Sequence, residues 1–337
     1  MLSYLKSNYT IFGMGFELLQ KVTNLRHILI CVLFLSVFQN AQAVEQDTVY
    51  RDSIRNIEYQ LEGLSHNIIN SRDIEERVTS CYYFIQTLKK ALQVPTSFDY
   101  EFERLKTVSI LKPEDEAFRL FTWNLPLDSG RYVYFGAMQM NSPDSLVLFG
   151  LYDSSHTFRQ PEFEQVDHKH WIGALYYQIH TYSYKGEKRY LLFGWDGQDG
   201  FTNRKIIDVL HFDETGKPWF GLPIFEDDED EYKHRLIHTY ANQATMICRY
   251  SKEEKKIVFD HLSPVNPMLK GQYQYYVPDG TYDYMVFIKG FWQRQELLFD
   301  DADDQHKYRK MNDIQEPEPP KGVKPKKKRR KNKKAFN

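Results

Sequence analysis

Six short turn sequences, each set between runs of aromatic and β-branched residues, constrain this chain more than any other feature. Asp128-Ser129-Gly130 separates FRLFTWNL from RYVYFGAMQM, and Ser142-Pro143-Asp144 precedes SLVLFGLY. Lys185-Gly186 joins ALYYQIHTYSY to KRYLLFGW, and Asp213 to Gly216 join KIIDVLHF to KPWFGLPIF. Lys252 to Lys255 join TMICRY to KIVFDHL, and Pro278-Asp279-Gly280 joins QYQYYV to TYDYMVFI. Such runs favour extended backbone, and a tight turn between two of them makes the strands antiparallel. Residues 105–300 are therefore expected to form a large antiparallel β meander, as a sandwich or an open barrel. A propeller is the alternative, because Phe-Gly recurs at 135–136, 149–150, 193–194 and 220–221. The intervals show no fixed period, which blade repeats require.

Residues 45–95 carry a helical period instead. Ile54, Ile57, Leu61, Leu64 and Ile68 recur at intervals of 3 and 4, as do Ile74, Val78, Cys81, Ile85, Leu88 and Leu92. Each set falls on one helical face. The polar break from Asn67 to Ser71 offers Asn70 or Ser71 as a cap, and Pro95 ends the second helix. The fold class expected is mainly β, with an N-terminal antiparallel helical hairpin ahead of the β domain. The hairpin either covers that domain or serves as a dimerisation stalk.

The formal net charge of −2 hides a cancellation. Residues 1–43 carry +2 and residues 321–337 carry +10, which leaves −14 on residues 44–320. Lys21 and Arg26 precede the apolar run Ile28–Phe38, and Ala41-Gln42-Ala43 follows it. This pattern is expected of a secretory signal peptide over residues 1–43, with Met1 or Met14 as the start. The run is shorter than the roughly 18 residues of a spanning helix, so no transmembrane span is expected after cleavage, with an uncleaved anchor as the alternative. Residues 301–337 read as a disordered Pro-containing spacer and a Lys/Arg-rich tail. In the tail, Lys326, Lys327, Lys328, Arg329, Arg330, Lys331, Lys333 and Lys334 are the candidate contacts for an anionic partner. Outside the cytoplasm that partner is an anionic lipid, lipopolysaccharide or an acidic glycan, and no nucleic acid is expected. Glu226 to Glu231 form an acidic run that reads as a solvated loop.

An exported chain keeps Cys81 and Cys248. An oxidising compartment permits a disulfide between them, and two buried free thiols fit the spacing equally well. No C-x-x-C occurs, which argues against a zinc ribbon.

Few residues suggest chemistry. Asp167, His168 and His170 form a D-H-x-H cluster; on a strand the two imidazoles would share a face and offer two ligands to a divalent metal. A third ligand would come from His180, His211 or His261. His234 and His238 lack the glutamate of a zinc-protease motif. Asp196 and Asp199 in Asp196-Gly197-Gln198-Asp199-Gly200 suggest a calcium loop, although Gln198 and Ile206 break the EF-hand pattern and a plain hairpin turn explains the glycines. Asp260, His261 and Ser263 hint at hydrolysis without a nucleophile elbow. Trp123, Trp171, Trp195, Trp219 and Trp292 are candidates for a ligand platform, against the commoner use of aromatics in cores.

The stretches YLLFGWDGQDGFTNRKIIDVLHFDETGKPWFGLPIF, ATMICRY…KKIVFDHLSP and FRLFTWNL…RYVYFGAMQM resemble a group of uncharacterised secreted proteins of Bacteroidetes-type bacteria. The resemblance spans most of residues 45–300. It implies an exported envelope protein and carries over no activity, cofactor or catalytic residue. The lysine run stands where a β-rich sorting domain of such bacteria would be expected. The function expected is therefore that of an exported, non-enzymatic protein of the periplasm or cell envelope whose basic tail contacts anionic envelope components. The alternative is a metal-dependent hydrolase using the His168/His170 region. No cofactor is expected beyond such a divalent metal, and catalytic residues and oligomeric state stay open.

Overall fold

The computed structural model describes residues 46–142, 145–226 and 232–296. The expected leader, most of the acidic run and the basic tail lie outside the described residues. Helix α1 (46–70) and helix α2 (Ile74–Leu92) form the hairpin that their periods require. Ile54, Leu61 and Ile68 of α1 are buried, as are Cys81, Phe84, Leu88 and Leu92 of α2. The cap of α2 is Asp73, whose side chain accepts from the Glu75 amide at 3.0 Å, in place of the expected Asn70 or Ser71. Ser71 instead accepts from the Asp73 amide and donates to Glu76 at 2.6 Å, which tightens the loop. Val78 and Ile85 do not join the buried face; Ser80 and Phe84 take the inward positions.

The strands form three sheets. The first is ordered β1 (Ser109–Leu111), β2 (Phe118–Pro126), β3 (Tyr132–Met140) and β4 (Leu148–Tyr152). The second holds β5 (Val166–Asp167), β6 (Leu175–Tyr184), β7 (Glu187–Asp196), β8 (Thr202–Phe212) and β9 (Pro218–Phe220) in the order β5-β9-β8-β7-β6. The rest of the chain gives β10 (Phe225–Glu226), β11 (Tyr232–Lys233), β12 (Leu236–Ala241), β13 (Cys248–Ser251), β14 (Lys256–Pro264), β15 (Tyr276–Ile288) and β16 (Phe291–Glu296). Strand β12 pairs with β8, and the others form the third sheet, β11-β10-β16-β15-β14-β13. The meander is thus divided into three sheets, and β10 pairs with β16 in parallel through Phe225 and Trp292.

Strand alternation stacks these layers. Phe121, Trp123 and Leu125 of β2 face the helices, whereas Phe118 and Leu120 face the second sheet and meet Tyr176, Tyr190, Leu192 and Ile206. Leu191 and Phe193 of β7, with Ile207 and Val209 of β8, point the other way into a third core with Tyr250, Ile257, Phe259, Met285 and Trp292. Strand β7 is covered on both faces, which is why it reads as an unbroken apolar run. The stack is a layered sandwich, helices outermost.

Turn chemistry explains most hairpins. Lys185 (φ 51°) and Gly186 (φ 85°) both adopt positive φ, as a two-residue type I′ turn requires. The expected hairpin at Pro278-Asp279-Gly280 does not form. These residues lie inside the single strand β15, where the register with β14 jumps from Asp260–Tyr282 to Leu262–Pro278. Asp279, Gly280 (φ 96°) and Thr281 bulge out opposite His261.

Candidate anion-binding cleft

A cleft with a volume of about 520 Å³ opens where the first and second sheets meet. Its floor is the end of β7 and the start of β3. Asp196 is nearly buried, and its Oδ1 accepts from the Gln198 amide at 2.9 Å. Tyr134 accepts from the Gly197 amide at 2.8 Å, which sets its hydroxyl beside the Asp196 carboxylate. Burial holds the Asp196 carboxyl above the ordinary aspartate value, opposed by the Gln198 amide and Arg204. Burial and then the charge of Asp196 raise the Tyr134 hydroxyl, which stays protonated.

Asp153, on the loop after β4, is consumed by construction. Its Oδ1 accepts from the Ser155 amide at 3.0 Å, the Ser155 hydroxyl at 2.6 Å and the Gly173 amide at 3.3 Å. Its Oδ2 takes the Tyr134 amide at 3.1 Å. Gly173 is required there, since a Cβ would stand 2.5 Å from the Asp153 carboxyl carbon.

The walls are cationic and aromatic. Arg131 comes from the β2–β3 turn, Arg159 from the loop after β4, and Arg204 from β8. Arg204 Nη1 lies 3.8 Å from Asp196 Oδ2, too long for a hydrogen bond. Its Nε is buried and has no hydrogen-bond partner among the described residues. Phe158 and Tyr132 supply apolar surface, and Trp195 packs edge-on against Tyr132 at 5.5 Å. Guanidinium groups beside a fixed acceptor and a fixed hydroxyl suit a ligand that carries both an anionic group and hydroxyls.

The residues singled out from sequence distribute differently. Asp196 lines this cleft, whereas Asp199 Oδ1 takes the Phe201 and Thr202 amides at 2.8 and 2.7 Å and stabilises the turn. Residues 168–170 form a turn instead of a strand, so His168 and His170 do not share a face. His168 is buried against Phe149 with Nδ1 2.9 Å from the Gly150 carbonyl, while His170 is exposed and bonded to Asp167 at 2.8 Å. The third ligands suggested for them are engaged elsewhere: His180 stacks on Tyr250 at 3.5 Å, and His211 sits 3.0 Å from Gln165. Among the described residues no group of three His, Cys, Asp or Glu is arranged to hold a metal ion. Cys81 and Cys248 are free thiols, buried in the first and third cores. Trp123, Trp171 and Trp292 are buried as well, which leaves Trp195 beside the cleft and Trp219 bonded to Asp213 at 3.1 Å. Ser263 donates to Asp279 at 2.9 Å, not to His261, so no nucleophile–base pair forms there. His261 Nδ1 instead meets the buried Asp283 carboxylate at 3.0 Å.

No family model, curated protein or solved structure matches the chain. The site therefore rests on its own geometry. Arg131, Arg159, Arg204 and Asp153 come from separate segments, and only the Asp-Gly spacing around Asp196 marked any part of it in the sequence. Among the described residues no helix is long and apolar enough to cross a membrane.

Proposed function

We propose that this is an exported, non-enzymatic binding protein of the cell envelope whose cleft takes an acidic saccharide. The observation that carries the reading is Arg204, with an unpartnered buried Nε and a second cation face 3.8 Å from Asp196, in a cleft that Arg131 and Arg159 also line. A carboxylate or sulfate on a sugar meets the guanidinium groups, its hydroxyls meet Asp196, and its C–H faces meet Tyr132 and Phe158. The carboxylate of Asp153 holds backbone in place, which supports binding over acid–base catalysis. The basic residues 326–334 lie outside the described residues; the same reading gives them the anionic surface of the envelope as a partner.

Calorimetric titration tests the cleft. Oligomers of glucuronate should bind and the matching neutral glucose oligomers should not, with Arg204→Gln weakening the acidic ligand by about tenfold or more. Equal binding of neutral and acidic sugars, or no effect of Arg204→Gln, would refute the assignment. Flotation with anionic vesicles tests the tail, and equal binding by the full chain and a 321–337 deletion would remove that part of the reading.

A further inference from the structure

The outward side of α2 carries a second stripe that the described residues leave exposed. Val78, Tyr82 and Ile85 are 51%, 60% and 38% exposed. With Glu75 before them and Lys89 after them, the spacings are 3, 4, 3 and 4, so all five lie along one line of the helix. This is the spacing of a coiled-coil seam, set beside the buried stripe of Cys81, Phe84 and Leu88. Tyr83 packs edge-on against Tyr82 at 5.4 Å and widens the apolar surface.

We propose that this stripe is the contact between two copies of the chain, paired antiparallel about a two-fold axis at Tyr82. The charges at the two ends of α2 choose both the occupant and its direction. Glu75 and Glu76 stand in the first turn, and Lys89 and Lys90 stand in the last. Glu75 and Lys89 are each seven residues from Tyr82. A two-fold axis there sets Glu75 of one copy against Lys89 of the other, twice. The helix dipoles then run opposite ways, which also favours the arrangement. A parallel pair would set Glu75 against Glu75 and Lys89 against Lys89. An interface of this kind is isologous and closes at two copies. It rests on residues apart from those of the cleft, so it stands whether or not the saccharide reading holds. One helix per copy is a narrow contact, so the dimer is expected in the micromolar range.

Cysteine cross-linking on the full chain carrying Cys31→Ser reads the register directly, because the other two cysteines, Cys81 and Cys248, are buried. With copper–phenanthroline and dissolved oxygen as oxidant, Tyr82→Cys should give a disulfide-linked dimer on a non-reducing gel. Glu75→Cys alone should not, since its own counterpart lies about four turns away along the helix. Sedimentation velocity of the unsubstituted chain should show dimer growing with concentration. The pair Val78→Glu and Ile85→Glu, both at exposed positions, should raise the dimer Kd about tenfold or more. Glu75→Lys should weaken the dimer, and Glu75→Lys with Lys89→Glu should restore it. A chain that stays monomeric at high micromolar concentration would overturn the proposal. So would a dimer indifferent to Val78→Glu and Ile85→Glu, or cross-linking through Glu75→Cys but not Tyr82→Cys.

Discussion

Arg235 places its Nε 3.1 Å from the Asp208 carboxylate, and both side chains are fully out of solvent. The guanidinium does more than neutralise one charge. It donates to the carbonyls of Pro161, Glu164 at 2.7 Å and Phe220 at 3.2 Å, so β8, β9 and the loop before β5 meet on one planar group. That loop also carries Phe158 and Arg159 into the cleft.

Removing Arg235 leaves the Asp208 carboxylate buried without its cation and takes a donor from three carbonyls. Arg235→Met is expected to cost about 3–5 kcal/mol, read as a lower midpoint in urea. Arg235→Lys should recover little, because an ammonium cannot span the same acceptors as a planar fork. Any variant that still folds should bind the acidic saccharide more weakly, because the Arg159 wall has lost its anchor. Stability within about 1 kcal/mol of the parent would sink this account.

Asp260 makes stability depend on pH. Burial, with the nearby charge of Asp279, pushes its carboxyl from an ordinary 3.8 up to about 6, against the Ile247 amide and Lys205. Between those values the folded chain keeps the proton and the unfolded chain releases it. Stability therefore falls as pH rises through that window, by roughly 2–3 kcal/mol, and Asp260 adds no further change above it. Asp260→Asn should flatten this part of the profile, measured as urea midpoints from pH 4 to 7. An unchanged slope in the variant would rule Asp260 out as its source.

Two glycines are expected to respond in opposite directions. At Gly173 a methyl would press on the Asp153 carboxyl, so Gly173→Ala should destabilise by about 1–3 kcal/mol and weaken cleft binding. Gly63 lies within α1 with open space around it, so Gly63→Ala should stabilise by up to about 1 kcal/mol and leave binding alone. Thermal unfolding of both variants checks the pair. A stabilised Gly173→Ala would mean that the Asp153 loop yields freely.

The layered fold was legible where one physical rule governed a segment. The inward series of α1 and the turn at Lys185-Gly186 follow from period and φ alone. Asp279-Gly280 misled because the residues that close a hairpin also form a bulge, and only the pairing partner β14 distinguishes the two. Val78 and Ile85 misled because they share the helical period of the buried face but sit at its edge. The cleft was nearly invisible. Arg131, Arg159 and Arg204 converge through the stacking of two sheets, and a single sequence carries no local signal for that. Asp196 stood out for its glycines, a reason unrelated to its burial beside Tyr134.

Asp196 also limits how well the cleft binds an anion, because its carboxylate lies 3.8 Å from Arg204 and competes with the ligand for that cation. Asparagine keeps a side-chain oxygen for the Gln198 amide while removing the charge. Asp196→Asn is therefore expected to tighten a monoanionic saccharide by about 3–10-fold at neutral pH, a Coulombic gain of roughly 1 kcal/mol that salt screens only in part. The same change should stabilise the folded chain at neutral pH, since burial disfavours the charged form of Asp196 in the native state. Calorimetric titration at two ionic strengths, paired with thermal unfolding, reads both effects. If Asp196→Asn lowered affinity while raising stability, Asp196 would be a direct acceptor for ligand hydroxyls whose contribution outweighs its competition for Arg204.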